Sequence, residues 1–297
     1  MGDAMVHKHS RHVIQLISAV LTNGYFSGFA SGSIYKGPLK SFCVPTLNCY
    51  SCPGALGSCP IGALQAVLGG NRSNVSYYVT GLLILFGVLL GRLICGFLCL
   101  FGLIQDLLYR IPTPKCKLPR VLDRPLRRLK YLVLLILVLL LPVCATNSFG
   151  IAPPYFCKYL CPAGTLEGGI PLVLAEESLK AMLGWLFAWK LFLLLAFLLA
   201  SVFLYRPFCK YICPLGAIYS LFNRFSFYQM HVDRTKCVGC HTCRDKCNMG
   251  VDPLKNINSG ECIRCGECGA ACPTQAISGS FLQKKPSAAS RNTSPLA

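Results

Sequence analysis

The sequence predicts a mainly α-helical membrane protein: four transmembrane helices form two parallel helical-hairpin repeats, and a small α+β module follows them. Three observations support this fold class. Of the 297 residues, 54% are hydrophobic and only 13% are charged, whereas soluble domains carry about 25% charged residues. A short cysteine turn recurs after each long apolar stretch. Eight of the twenty cysteines are concentrated in one segment near the C-terminus.

Four apolar stretches are long enough to cross a bilayer, which takes about 20 helical residues. They run from His12 to Tyr35, Tyr77 to Tyr109, Tyr131 to Ala145 and Trp185 to Tyr205. We interpret the first as a retained span, because polar residues precede it and no small-residue cleavage pattern follows.

The charges of the connections predict the orientation. One carboxylate, Asp123, faces eight cations between the second and third stretches: Arg110, Lys115, Lys117, Arg120, Arg124, Arg127, Arg128 and Lys130. The next connection holds more carboxylates than cations. By the positive-inside rule the basic connection is cytoplasmic, which puts both termini in the cytoplasm. Binding of the basic loop to anionic lipid is an alternative that gives the same orientation. The net charge of +18 is therefore explained by the membrane, without nucleic acid as a partner.

These expectations divide the chain into four parts. Residues 1–11 form a cytoplasmic N-terminus, 12–228 a membrane domain, 229–277 a cysteine-rich module and 278–297 a disordered tail that has little to bury.

Two cysteine runs in the C-terminal module share the spacing C-x2-C-x2-C-x3-C. This spacing binds two [4Fe–4S] clusters, and the fourth cysteine of each run ligates the other cluster. Cluster one should take Cys237, Cys240, Cys243 and Cys272, and cluster two should take Cys262, Cys265, Cys268 and Cys247. A zinc site or a disulfide knot is the alternative, but two complete copies of the run favour clusters. The module resembles the bacterial 2[4Fe–4S] ferredoxins.

A cysteine turn with the pattern Cys-x-x-Gly-x-(Leu/Ile) follows each of the four apolar stretches. The copies begin at Cys59, Cys99, Cys161 and Cys213. In the last three, another cysteine lies four residues earlier: Cys95, Cys157 and Cys209. An arginine precedes this earlier cysteine by three residues in the second and fourth copies, at Arg92 and Arg206. The repetition predicts two equivalent hairpins, which end near Arg110 and Arg224.

The proline in three of the turns explains why a new helix should begin directly after the cysteine. Pro60, Pro162 and Pro214 follow their cysteines, and proline disfavours helix for the residue before it while fitting the first helical position. Each cysteine should then lie just ahead of a new helix, whose free N–H groups and dipole favour an anion. A [4Fe–4S] centre with four thiolates is anionic, so Arg92 and Arg206 are candidate cofactor-binding residues that offset its charge. The second turn has Leu100 in place of proline.

The predicted orientation sorts the turn cysteines into two sets, each expected to hold one [4Fe–4S] cluster. The inner set, at the cytoplasmic boundary, is Cys95, Cys99, Cys209 and Cys213. The outer set, at the opposite boundary, is Cys157, Cys161, Cys59 and one of Cys49 or Cys52. A disulfide between Cys49 and Cys52 is an alternative there. No role is assigned to Cys43, Cys116 or Cys144.

Cys-x3-Cys-Pro turns after transmembrane helices, followed by a two-cluster ferredoxin, resemble the NapH/MauN group of membrane ferredoxin proteins and the C-terminal half of NosR. The likeness covers roughly Arg92 to Ile277, with Cys157/Cys161 and Cys209/Cys213 at the recognised turns. It implies quinol oxidation in the bacterial inner membrane, with menaquinone as a candidate cofactor. It also implies electron delivery to a partner iron–sulfur protein that serves an extracytoplasmic reductase. The loop from Cys43 to Cys59 and Leu100 depart from the family pattern.

Together these features favour an iron–sulfur electron-transfer protein that links a cytoplasmic or quinol pool to a partner redox protein. The chain has no dinucleotide fingerprint or Walker loop, and its five histidines lie outside the span interiors, which argues against haem ligation in the bilayer. Two alternatives stay open: a quinol dehydrogenase subunit of an extracytoplasmic reductase pathway, and a redox-sensing regulatory or assembly protein.

Overall fold

The computed structural model describes residues 2–70, 77–116, 118–147, 151–181 and 183–281. The predictions for Lys117 and for residues 282–297 of the tail lie outside these ranges.

The part of the chain predicted as the first hairpin repeat contains two longer helices, Gly2–Thr22 and Tyr77–Leu90, and shorter helices around the cysteine turns. Its helices are α1 (Gly2–Thr22), α2 (Ser27–Ser31), α3 (Pro60–Leu68), α4 (Tyr77–Leu90), α5 (Leu93–Phe97) and α6 (Leu100–Leu108). A 3₁₀ turn covers Pro38–Ser41 in the long loop before α3.

The part of the chain predicted as the second hairpin repeat is divided into more elements than the first. Its helices are α7 (Arg120–Val133), α8 (Leu141–Cys144), α9 (Tyr155–Tyr159), α10 (Pro162–Gly164), α11 (Ile170–Ala175), α12 (Glu177–Ala181), α13 (Trp185–Phe203), α14 (Pro207–Tyr211) and α15 (Pro214–Phe222). Two π-helical segments, Leu134–Leu140 and Thr165–Gly169, join α7 to α8 and α10 to α11.

One helix in the described part of the chain, α13, is long and apolar enough to cross a membrane, and α4 is a shorter apolar helix. The fourth predicted span therefore agrees with α13, whereas the arrangement of four membrane helices is not confirmed. Within the first apolar stretch, α1 ends at Thr22, whose carbonyl accepts a hydrogen bond from the backbone N–H of Leu56, and only the short helix α2 follows. The second stretch breaks at Gly91, which has a positive φ of 53°.

The helices expose apolar side chains on their outer faces and bury polar ones inside. On α13, Phe192, Leu195 and Leu199 are each more than half exposed. In contrast, the side chains of Arg92 and Arg206 are fully buried beside the cysteine turns. This inverts the usual pattern of a soluble domain, in which fully buried arginines are rare.

The C-terminal module is enclosed by a two-stranded antiparallel sheet. Strand β1 (Tyr228–Val232) pairs with β2 (Ile277–Phe281), with Tyr228 opposite Phe281 and Val232 opposite Ile277. Three short helices lie between them: α16 (Thr242–Asp245), α17 (Pro253–Asn256) and α18 (Glu267–Ala270). The prediction of disorder from Ser278 onward is wrong for the first four residues, because they complete β2.

Candidate iron–sulfur centres

All four repeated cysteines cap the N-terminus of a helix, as predicted. Cys59, Cys99, Cys161 and Cys213 have extended backbones, with φ from −62° to −74° and ψ from 108° to 128°, and the helix begins at the next residue. The thiols of Cys161 and Cys213 each accept a hydrogen bond, 3.4 Å long, from the N–H of the turn glycine. The second turn adopts the same geometry without a proline.

The inner set converges. Its four cysteines are buried in one apolar cluster, and their thiols lie within electrostatic range of one another. Phe101 and Phe208, one from each hairpin, pack edge to face at 5.1 Å beside the set. The second and fourth turns therefore meet, as the repeat predicts.

Two arginines cross between the hairpins at the inner set. Arg92 donates to the carbonyl of Cys209 at 3.1 Å, and Arg206 donates to the carbonyl of Cys95 at 2.6 Å. The turn glycines leave room for these side chains, since a Cβ at Gly102 would lie 3.3 Å from the guanidinium of Arg206. The arginines hold the two turns together through the cysteine backbones.

Both arginines also pair with carboxylates, which the sequence reasoning did not foresee. Arg206 binds Asp106 through two hydrogen bonds of 2.7 and 2.5 Å, and Arg11 binds the same carboxylate at 3.0 Å. Arg92 binds Glu261 at 3.0 Å. Both arginines next to the inner set are thus paired with a carboxylate, Arg206 with Asp106 and Arg92 with Glu261. They are therefore not free counter-ions for a cluster.

The outer set lines a cavity of about 550 Å³. Its cysteines are Cys49, Cys59, Cys157 and Cys161, so the first and third turns meet there. Cys52 is not among the lining residues, and its thiol instead contacts the side-chain oxygen of Asn23 at 3.7 Å. Of the two candidates left open by the sequence, Cys49 is the one that lines this cavity.

The donor chemistry of these sets fits an iron–sulfur cluster. All twenty cysteines lie in the described part of the chain and all are free thiols, which opposes a Cys49–Cys52 disulfide. Gly164 borders the outer cavity, and a Cβ there would lie in van der Waals contact with the thiol of Cys49, 3.6 Å away. Among the described residues, no three His, Cys, Asp or Glu side chains are placed to hold a single metal ion. A four-iron cluster keeps its thiolates further apart than zinc does.

The C-terminal module brings its cysteines together in the crossed arrangement. The distal set, Cys237, Cys240, Cys243 and Cys272, lines one small pocket. The proximal set is Cys247, Cys262, Cys265 and Cys268, and its thiols are electrostatic neighbours. The two sets meet where Cys243 and Cys268 share one small apolar cluster and their thiols interact electrostatically.

The proximal set lies directly against the helical part of the chain that precedes the module. Asn223, after α15, donates to the carbonyl of Cys262 at 3.0 Å and accepts from the backbone N–H of Arg92 at 3.1 Å. Glu261 pairs with Lys130 at 2.6 Å as well as with Arg92. Burial alone would raise the pKa of Glu261, but the attraction of Arg92 and Lys130 lowers it below its usual range. Glu261 is therefore an anion held between two buried cations.

Two glutamines contact cysteine thiols and were missed by the sequence reasoning. Gln65 donates to the thiol of Cys157 at 3.4 Å, and Gln105 donates to the thiol of Cys209 at 3.1 Å. Both lie six residues after the capping cysteine of their turn. Extending the repeat by one residue beyond its (Leu/Ile) position would have revealed the pair.

Crossed cysteine runs and paired cysteine turns define an iron–sulfur protein of the ferredoxin class. Comparison with known families agrees: a profile described as a 4Fe-4S binding domain matches residues 75–119, 132–170 and 185–230, and a second with the same description matches residues 255–278. No solved structure matches the chain.

Three relatives specify the family. The ferredoxin-type methylamine utilization protein MauN of Paracoccus denitrificans is 31% identical over 78% of this chain and 80% of MauN. The uncharacterized protein MJ0749 of Methanocaldococcus jannaschii is 30% identical over 75% of this chain and 78% of that protein. The regulatory protein NosR of Stutzerimonas stutzeri is 29% identical over 59% of this chain but only 22% of NosR.

The chain belongs to the family of MauN-type 4Fe–4S ferredoxin proteins. The predicted resemblance to MauN and to NosR is confirmed, and iron–sulfur electron transfer is the chemistry of this family.

Proposed function

We propose that the chain is a multi-pass protein of the bacterial cytoplasmic membrane that passes electrons between a cytoplasmic or quinol pool and a partner redox protein. Four [4Fe–4S] clusters, when bound, would supply its one-electron carriers. The thiols of the distal, proximal, inner and outer sets would ligate them, and both termini would face the cytoplasm.

The observation that carries this proposal is the continuous order of the four cysteine sets. The distal set adjoins the proximal set, since Cys243 and Cys268 share one apolar cluster and their thiols interact electrostatically. The proximal set abuts the inner set, since Arg92 bonds to both Gly260 and Cys209. Tyr219 is buried between the inner and outer sets, within electrostatic range of Cys95 and Cys59. Such a series divides a bilayer crossing of about 30 Å into shorter intervals.

The apolar outer faces support the membrane assignment. Helix α13 is strongly apolar, and only 11% of its most apolar 18 residues are buried inside the protein. Side chains of α1, such as Leu16 at 57% exposed and Ile17 at 53% exposed, also lie on the surface. Lipid would cover these side chains, whereas soluble proteins rarely expose so large an apolar surface to water.

Iron and sulfide analysis of anaerobically purified protein tests the proposal. Four clusters require about 16 iron atoms per chain, against about 8 for the C-terminal module alone. Cys209→Ser combined with Cys213→Ser should remove one EPR signal and leave the others. An iron content at the lower value, or an unchanged spectrum in the double variant, would refute clusters in the membrane part. A reporter fused to the C-terminus of the full chain should be active only in the cytoplasm.

One cavity favours the quinol alternative. It measures about 550 Å³ and lies between the membrane part and the C-terminal module, lined by Cys247, Tyr205, Tyr211 and Asp123. Tyr211 donates to Asp123 at 2.7 Å, and Lys210 pairs with the same carboxylate at 2.6 Å. The cavity is lined mainly by polar and charged side chains, which would hydrogen-bond the hydroxyl groups of a quinol beside a thiol of the proximal set. Menaquinol added to the oxidised protein should then reduce it. Reduction by dithionite but not by menaquinol would exclude quinol as the donor.

A further inference from the structure

Gln65 and Gln105 occupy equivalent positions, in the first and second turns. Both side chains are fully buried. Each reaches from the first hairpin to the second: Gln65 to the third turn at Cys157, and Gln105 to the fourth turn at Cys209. The outer and inner sets therefore contain the same contact.

Hydrogen bonds fix the orientation of both amides. The Oε1 atom of Gln105 accepts from the backbone N–H of Phe208 at 3.2 Å, and that of Gln65 accepts from the N–H of Phe156 at 2.9 Å. A backbone N–H can only donate, so the oxygen end of each amide must face it. The NH₂ end of each amide must then face the cysteine sulfur.

The second N–H of each amide is also used. Nε2 of Gln105 donates to the carbonyl of Phe101 at 3.2 Å, and Nε2 of Gln65 donates to the carbonyl of Ile61 at 3.2 Å. The carbonyl in each case lies four residues earlier on the same helix. With both ends of the amide held, the donor cannot turn away from the thiol.

The other two turns have different residues at this position. Glu167 accepts a hydrogen bond from the backbone N–H of Cys49 at 2.8 Å, and Tyr219 donates to the carbonyl of Pro45 at 2.8 Å. Neither of these bonds involves a sulfur atom. The glutamine contact is therefore a feature of one turn in each pair.

We propose that Gln65 and Gln105 are positioning residues that tune the outer and inner centres by donating one N–H···S hydrogen bond to a cysteine ligand of each. Hydrogen bonds to the sulfurs are among the factors that set cluster potentials. A donor withdraws electron density from the thiolate, which favours the reduced state and raises the potential. This inference rests on the proposed cluster ligation by these cysteines.

An EPR-monitored redox titration of the full-length protein tests it. Gln105→Met keeps a side chain of similar length without a donor, so the potential of the inner signal should fall while the outer signal stays unchanged. Gln65→Met should lower the outer potential only, which makes each variant the control for the other. The inner signal is the one lost in the Cys209→Ser, Cys213→Ser protein. Iron content should remain at the wild-type value.

The outcomes separate this inference from the proposed function. Wild-type potentials in both variants, or equal shifts of both signals in each variant, would overturn the role of the glutamines. Absence of any membrane-centre signal in the wild-type protein would overturn the ligation itself. If a variant loses its cluster, a second experiment uses wild-type protein labelled with ¹⁵N in the glutamine side chains. Pulsed EPR should then show a coupling between the inner signal and a labelled nitrogen. Absence of this coupling would refute the hydrogen bond.

Discussion

The guanidinium of Arg92 bonds to the carbonyl of Cys209, 3.1 Å away, and its other arm bonds to Glu261 at 3.0 Å. One buried side chain thus connects a cysteine turn of the second hairpin to the residue that precedes Cys262. Lys130 holds the other oxygen of the same carboxylate at 2.6 Å. The C-terminal module and the inner set are therefore joined by one buried charge network, and Glu261 is its only described carboxylate.

We predict that Glu261→Ala destabilises the protein by about 3–5 kcal/mol, because it leaves Arg92 and Lys130 buried without a counter-charge. Thermal unfolding of the reconstituted protein measures this change. The matched control is Glu177→Ala, which breaks an ion pair with Lys180 at a site where Glu177 is 87% exposed, and exposed pairs contribute about 0–1 kcal/mol. Equal unfolding temperatures for the two variants would show that the network does not couple the module to the membrane part.

Gly96 provides a second test of this contact. A Cβ at this position would lie 2.5 Å from the backbone carbonyl oxygen of Ile263, in the loop between Cys262 and Cys265. Gly96→Ala should therefore push this loop away and destabilise the protein by about 1–3 kcal/mol. Amide hydrogen exchange in the loop should accelerate.

Gly81→Ala is the control for that substitution. Gly81 lies in α4 and an added Cβ would meet nothing within 4 Å, so alanine should be neutral or stabilise the helix by up to about 1 kcal/mol. Unchanged loop exchange in Gly96→Ala would mean that the module does not lie as close to α5 as described.

The turns were predictable from sequence because their determinants are local. A cysteine followed by proline and, three positions on, by glycine specifies an extended residue and then a helix, and Cys59, Cys161 and Cys213 obey this rule. The pairing of turns followed from repetition and orientation.

The breaks within the spans were not predictable in the same way. Apolar residues lie on both sides of Gly91 and Arg92, and composition alone does not show that Gly91 takes a left-handed conformation that ends α4. Nor could spacing choose between Cys49 and Cys52, because the conformation of the long loop before α3 depends on contacts with the third turn, such as Glu167 to the N–H of Cys49.

The choice of Cys49 over Cys52 makes a third prediction. Cys49→Ser should lose the outer centre, with iron falling by about four atoms per chain, because Cys49 lines the outer cavity. Cys52→Ser is the control and should keep the full iron content, since its thiol contacts Asn23 and does not line the cavity. Iron analysis with EPR of both proteins measures the difference. The reverse result would mean that the loop before α3 has a different register in the loaded protein.

The fourth prediction concerns Leu100, the residue in the turn where the other copies have proline. Cys99 already has φ −74° and ψ 118°, a conformation that a following proline requires, and Leu100 is the first residue of α6. Leu100→Pro should therefore keep the inner EPR signal and stabilise the protein by up to about 1 kcal/mol, by restricting the unfolded chain. Phe101→Pro, one position further along the chain, is the control. A proline at 101 disfavours the helical conformation of residue 100, and the substitution also removes a fully buried ring that packs on Phe208. Thermal unfolding should distinguish the two by several kcal/mol. If Leu100→Pro also loses the inner signal, the second turn needs a leucine side chain at this position and is not equivalent to the other three.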